Sequence, residues 1–417
     1  MTTVTLFWVL FTLVVGQGFL AVGYVRALRG FRRQRLEDEA CPKAAVILCL
    51  RGADPFLKDC LAGLFQQDYP HYEIHIVVDS RHDPAWKVVE QAAKREEATH
   101  VRIHALTDRR DSCSLKISGV LQAIGELDES HRILALLDSD TVPHPDWLRE
   151  LVAPLADDRV GVSTGNRWYM PAETTWGSLV RYLWNAAAVV QMYWYGIAWG
   201  GSLAMRTSLL RETDLLERLS RAFGEDSTIC RCARRKRLRV VFVPSLTMVN
   251  RETCSLAGFS RFLQRQLLTV RLHNPWWWAV VGHGIVTSVA LAIASGVLVA
   301  ALCLGSWAAV CWSTAGLVFY YASMIVLAAG METCVKRIVL ARNDRADWLT
   351  FGGCIRAVLA IPLTQVVYAA GLTSALFVRT HRWRGVLYLF GGGSRVRVVD
   401  DRPYESEPAA SGAIMSL

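Results

Sequence analysis

Apolar runs too long for a soluble core constrain this chain more than any other feature. Residues 6–25, 280–304, 308–330 and 357–378 contain no Asp, Glu, Lys or Arg, and about twenty apolar residues in helix match the hydrocarbon thickness of a bilayer. Of the 417 residues 52% are hydrophobic and the mean hydropathy is positive, which excludes an ordinary soluble protein of this size. No basic residue precedes the first run, and Arg26, Arg29, Arg32, Arg33 and Arg35 follow it. That order predicts an uncleaved signal anchor over 1–27. It also predicts that the next segment stays on the cytosolic face, of the inner membrane if the cell is bacterial.

The later runs follow Pro275. Trp276-Trp277-Trp278 sits where an interfacial aromatic belt would, two spans follow, and a basic connector with Lys336, Arg337, Arg342 and Arg345 precedes the last run. One more full crossing would leave Arg379, Arg382 and Arg384 on the outer face, against the distribution of basic residues. One run is therefore expected not to cross, and Pro362 marks the last as the candidate re-entrant or interfacial segment. The net charge of +9 is concentrated beside apolar segments and between Arg231 and Arg239, which fits anionic headgroups and not nucleic acid. Eleven cysteines without paired spacing read as reduced, buried thiols. The close pair Cys230 and Cys232 has no partner set for a metal.

Between residues 40 and 254 the texture changes to short apolar runs separated by amphipathic stretches, the alternation of an α/β domain with a mainly parallel sheet. Strands are predicted at 44–50, 74–78, 133–137 and 240–243, with a helix near 56–65. An amphipathic helix over 255–275 is expected to lie on the membrane surface. Residues 276–380 are then a membrane region and 381–417 a basic, then polar, tail.

Asp138-Ser139-Asp140 directly follows the strand at 133–137, where open α/β sheets hold ligands. Two carboxylates so spaced can bind Mg²⁺ or Mn²⁺ together with diphosphate oxygens. Read plainly, the same triplet is an acidic turn or a cap on the helix near Pro145. Asp79 follows the strand at 74–78 and can accept a nucleobase N–H, while Asp83 lies four residues on in Arg81-His82-Asp83-Pro84; either is equally a turn or cap residue. Glu225-Asp226 precedes a basic helix: Asp226 can serve as general base toward an acceptor hydroxyl, or both can simply oppose the helix dipole. Trp176, Tyr182, Trp184, Tyr193, Trp194, Tyr195 and Trp199 form either the mouth for a lipid acceptor or interface anchors and core.

From about residue 44 to 275 these residues resemble the membrane glycosyltransferases of family 2 type with a GT-A (Rossmann-like) fold, and within them the ceramide glucosyltransferases of family 21. The resemblance is carried by Leu50-Arg51-Gly52-Ala53-Asp54-Pro55, Asp68-Tyr69-Pro70-His71-Tyr72-Glu73, His82-Asp83-Pro84-Ala85, Lys116, the Asp-Ser-Asp triplet, Trp199-Gly200-Gly201-Ser202 with Met205-Arg206, and Gly224-Glu225-Asp226. It implies a cytosolic catalytic domain using a nucleotide-sugar donor, UDP-glucose, with a divalent cation and a membrane lipid acceptor. Asp79 or Asp83 would hold the uridine, strand-end geometry favouring Asp79. Asp138 and Asp140 would hold nucleotide and metal, Lys116 would face the nucleotide, and Gly200 and Gly201 would admit the sugar diphosphate. Asp226 would be the base.

The family's last motif, (Gln/Arg)-x-x-Arg-Trp on the interfacial helix, is met here only by Arg265-Gln266-Leu267-Leu268-Thr269, without the Arg-Trp pair. Arg265 or Arg271 is then left for the leaving diphosphate, unless each snorkels to headgroups. Because the Trp holds the acceptor sugar in processive polysaccharide synthases, its absence counts against polymerisation. Three acidic sites in order count against a non-catalytic scaffold or lipid-binding protein.

Overall fold

The computed structural model describes residues 3–392 and 395–404. It begins with the long helix α1 (Thr3–Gly30) and then enters an α/β domain through β1 (Ala44–Leu50), α2 (Leu57–Phe65), β2 (Tyr72–Val78) and α3 (Pro84–Arg95). β3 (Val101–Ala105), α4 (Leu115–Gly125), β4 (Ile133–Leu137), α5 (Trp147–Val152) and β5 (Val160–Tyr169) continue it. The domain is completed by α6 (Trp176–Tyr195), β6 (Ser202–Arg206), the short α7 (Ser208–Glu212) and α8 (Leu215–Leu219), α9 (Glu225–Arg235) and β7 (Arg239–Asn250).

The seven strands form one sheet in the order β3-β2-β1-β4-β6-β5-β7. β1 to β4 pair in parallel, β6 runs antiparallel to both β4 and β5, and β5 pairs in parallel with β7. β4 buries every residue and β1 all but one, because both sheet faces are covered: Val46, Leu48, Ile74 and Ile76 pack on one side, Ile47, Val77, Leu134 and Leu136 on the other. Such strands read as unbroken apolar runs. β5 and β6 were not predicted because they bury Ser163, Thr164, Asn166 and Ser202. Their hydroxyls are satisfied locally, Ser163 donating to the Leu151 carbonyl and Thr164 to that of Ser202, and polar positions of this kind erase the apolar signature of a strand.

The chain then forms α10 (Leu256–His273), α11 (Trp277–Cys303), α12 (Trp307–Leu340) and α13 (Phe351–Phe377). Among the described residues four helices, α1, α11, α12 and α13, are long and apolar enough to cross a membrane. Leu6, Leu10 and Val14 of α1 pack on Ala290 and Ala294 of α11 and Tyr320 of α12. α13 lies along α6 and α10. Its first turn packs beside Thr174 and its last carbonyls, Ala375, Leu376 and Val378, accept from Arg271 of α10. Both ends of α13 thus abut the α/β domain.

The tail departs from expectation. Instead of an extended polar segment, β8 (Thr380–Trp383), β9 (Val386–Phe390) and β10 (Val396–Asp401) form an antiparallel sheet, whose Val386, Tyr388 and Phe390 join the core around Leu115, Phe223 and Leu272. The two-residue turn Arg384-Gly385 has φ of 46° and 81°, the double left-handed geometry that matches the twist of a tight hairpin. Residues 405–417 of the expected tail lie outside the described residues.

One carboxylate joins the helices to the sheet domain. Glu332 of α12 is buried and accepts from Trp168 Nε1 at 2.8 Å, Tyr182 Oη at 3.1 Å and Trp348 Nε1 at 2.8 Å. Glu332→Ala strands two buried donors, on Trp168 and Tyr182, each costing about 1–3 kcal/mol, and a half-buried one on Trp348. Unfolding in detergent should show a loss of about 3 kcal/mol or more, and Glu332→Gln, which keeps an acceptor oxygen, a smaller one.

Candidate active site

The carboxylates gather at the C-terminal edge of the sheet because the parallel strands end there. β2 runs into Asp79 and β4 into Asp138, and both line one cavity with Asp140, Lys116, Gly200, Glu225, Asp226 and Arg265. Lys116 sits in the first turn of α4, behind the Ser114 cap, and its ammonium is 2.6 Å from Asp138 Oδ1 and 2.5 Å from Glu225 Oε1. Burial disfavours the ammonium, yet Asp138 and Glu225 outweigh that and hold it above its usual range. Burial likewise opposes ionisation of Asp138, and Lys116 reverses it, so this carboxyl titrates below the usual range.

Its neighbour behaves oppositely. Asp140 is pushed up to about 6, first by burial and then by the charge of Asp138. Asn250 Nδ2 donates to its Oδ2 at 3.2 Å and the Arg167 guanidinium stands 3.8 Å away. Its Oδ1 is buried with no hydrogen-bond partner. An all-oxygen pair with one unmet buried oxygen fits a hard divalent cation. Asp226 is also pushed up to about 6, by burial and then Glu225. Its Oδ2 faces the Gly200 N–H at 3.4 Å.

Guanidinium groups balance these acids. Arg51 bonds Asp79 at 2.8 Å and Arg109 reaches it at 3.0 Å. From the C-terminal sheet, Asp401 joins both arginines, while Arg384 at the hairpin tip donates to Asp54 at 2.7 Å and to the Arg51 carbonyl. Arg265 projects from α10 and stacks on the Trp383 ring at 4.4 Å. Burial, then Arg384 and Arg167, push Arg265 down to about 10. Three guanidiniums with this much mutual repulsion make a site for an anion.

The Arg-Trp pair absent from the interfacial helix is thus restored in space. Arg379-Thr380-His381-Arg382-Trp383 spells Arg-x-x-Arg-Trp far downstream, and β8 brings Trp383 back to Arg265. That pentad was the available signal. Arg51 stood in a stretch that carries the resemblance but was given no role, and Arg109, Arg167 and Arg384, also missed, carry no signal of their own, because their places come from folding.

The other expected residues divide. Asp83 caps α3, accepting from Ala85 N at 2.8 Å and from Gly52 N at 2.9 Å, and does not line the cavity, whereas Asp79 does. Arg271 is spent on the carbonyls ending α13 and also lies outside. Gly200 lines the cavity, but the need for glycine is a packing one: a Cβ there would strike Glu225, and one at Gly201 would strike the Trp199 indole and come within 2.8 Å of Asp138. Cys230 and Cys232 are free, buried thiols.

A second cavity, largely apolar, opens among α1, α6, α10, α11, α12 and α13. Arg167, Trp199, Asp226, Gln266 and Thr269 line both cavities. Of the aromatic cluster, Trp184, Tyr195 and Trp199 face this second space, Tyr182 and Tyr193 belong to the core, and Trp176 and Trp194 are exposed.

The solved structure of mannosyltransferase PcManGT from Pyrobaculum calidifontis, in complex with GDP-Man and Mn²⁺, superposes with a TM-score of 0.53 at 18% identity, covering 81% of this chain and 99% of that one. The likeness is one of fold, the mixed α/β sheet of the GT-A type. A ceramide glucosyltransferase from Pyricularia oryzae is 31% identical over 98 residues, which is 21% of this chain. The match spans only 20% of that relative's length. The model of glycosyl transferase family 21 matches residues 7–396, nearly the whole described chain, and the chain belongs to that family.

Proposed function

We propose that this glycosyltransferase moves one glucosyl unit from UDP-glucose to the hydroxyl of a ceramide-like membrane lipid, with inversion at the anomeric carbon. The observation that carries this reading is the meeting of a charged cavity and an apolar one at Asp226. A polar donor and an acceptor whose tails cannot leave the bilayer need such a junction. The partial likeness to a ceramide glucosyltransferase supports the choice of acceptor and sugar.

In this reading Asp79 receives the base, Lys116, Arg265 and Arg384 face the diphosphate, and Trp383 holds Arg265 in place. Asp138 and Asp140 would hold Mn²⁺ or Mg²⁺, whose charge stabilises the departing diphosphate. Asp226 takes the acceptor hydroxyl proton as that oxygen attacks the anomeric carbon from the side opposite the diphosphate; the bond to the diphosphate oxygen breaks and configuration inverts. The raised Asp226 carboxyl suits a base working near neutrality. The Gly200 and Ser227 N–H groups fix its orientation.

We place the α/β domain on the cytosolic face, following the arginines after α1. α1, α11 and α12 cross, and α13, one unbroken helix of 27 residues with both ends against the catalytic domain, lies as an interfacial segment. That arrangement leaves Arg379, Arg382 and Arg384 beside the donor cavity and removes the excess crossing. With Trp383 against Arg265, the lack of an Arg-Trp pair no longer speaks against polymerisation; the apolar lining beyond Asp226 does.

The deciding assay gives the purified protein radiolabelled UDP-glucose, Mn²⁺ and either ceramide or diacylglycerol in mixed micelles. A singly glucosylated, β-linked lipid, favoured with ceramide and abolished by chelation, is expected, with Asp226→Asn about 10²–10⁴-fold slower. Label confined to polymer, or none with any nucleotide sugar, would sink the reading. At saturating cation the rate should rise with pH through about 6 and then level off, because Asp226 is a base only when ionised and its carboxyl is raised to about 6. A flat profile over pH 5–7 would remove Asp226 from that role. Trp383→Ala deletes a stacking contact of about 0.5–2 kcal/mol. Unfolding temperature should fall because Trp383 also packs on Phe223, and in the folded variant donor KM should rise several-fold, with Trp383→Phe recovering much of both.

A further inference from the structure

At the opposite edge of the sheet from the donor cavity, near the start of β2 and just ahead of β4, two imidazoles and a carboxylate converge. Glu73 Oε2 lies 3.9 Å from His75 Nε2, and Glu73 Oε1 lies 3.7 Å from His131 Nε2. The three ligand atoms fall within 4.8 Å of one another. His75 is 1% and His131 2% exposed, and neither nitrogen of His75 has a hydrogen-bond partner. A buried polar group without a partner calls for one.

Asp128 Oδ1 stands 3.0 Å from His131 Nδ1. That pair is not aligned as a hydrogen bond, so both ring nitrogens of His131, like those of His75, are buried without a hydrogen-bond partner. Lys43 and Arg102 bond Glu73 at 2.7 and 3.2 Å, but their side chains are 29% and 62% exposed and can swing into water.

We propose that Glu73, His75 and His131 form a binding site for a transition-metal dication of the zinc class, distinct from the all-oxygen pair at Asp138 and Asp140. Ligands about 2.0–2.1 Å from a tetrahedral ion stand about 3.3 Å apart, so from atoms within 4.8 Å of one another closing the site takes movements of up to about 1.5 Å. Nitrogen ligands select Zn²⁺, Co²⁺ or Ni²⁺ over Mg²⁺ and Mn²⁺. One water completes the coordination, and the ion pins β2 to the loop before β4.

The test titrates Co²⁺ into chelator-stripped full-length protein in detergent, reading visible d–d absorption, and follows thermal unfolding with Zn²⁺. One equivalent should give intense tetrahedral bands and Zn²⁺ should raise the unfolding temperature by roughly 3–5 °C. Both effects should survive Asp140→Asn and vanish in His131→Gln. Glu73→Gln, at a part-exposed position, should also lose both and serves if His131→Gln does not fold. Absence of the bands in the unsubstituted protein, or their persistence in the Glu73 or His131 variant, would overturn the proposal. Neither readout depends on sugar transfer.

Discussion

Lys116 is the fixed point on which the site depends. Its ammonium, 2.6 Å from Asp138 and 2.5 Å from Glu225, ties the end of β4 to the start of α9 inside a buried cavity. Without it two carboxylates would face each other in a medium of low dielectric, where like charges repel strongly. With it Asp138 stays ionised, and Asp226, next to Glu225 but outside the lysine's direct reach, is left with a raised carboxyl. Lys116 holds Asp138 below the usual range, while burial and Glu225 keep Asp226 above it despite the lysine, the separation that acid–base chemistry needs.

The end of the chain closes what its middle begins. The sheet formed by residues 380–401 packs Tyr388 and Phe390 against Phe223, sends Arg384 to Asp54 and brings Trp383 under Arg265. It reaches the cavity because α13 returns along α10 and ends at Arg271, beside the domain it left. A full-length crossing by α13 would carry these residues away from the donor edge. Membrane topology and the composition of the anion site are therefore one question in this protein.

The helices answer a second requirement. They enclose apolar space that meets the charged cavity at Asp226, Trp199 and Thr269, and Glu332 locks them to β5 and α6 through the buried donors of Trp168 and Tyr182. Catalytic geometry and membrane geometry are thus coupled through side chains that touch neither substrate. Family membership is consistent with this union of parts across residues 7–396.

By itself the sequence determined the four long apolar helices, the doubly covered strands β1 and β4, and the acidic triplet at the end of β4, because each is written in contiguous residues with a local physical signature. It also named Asp138 and Lys116 as candidates, though not that Lys116 bridges Asp138 to Glu225. The buried polar strands β5 and β6, the cap role of Asp83, the diversion of Arg271 to α13 and the C-terminal sheet were decided only by tertiary structure. The same holds for Trp383 against Arg265, an Arg-Trp pairing split between a helix and a strand more than a hundred residues apart. Spacing along a chain records neighbours on one element. It does not record which charges and rings folding brings together, and those contacts put Arg51, Arg265, Arg384 and Trp383 around the acidic cavity.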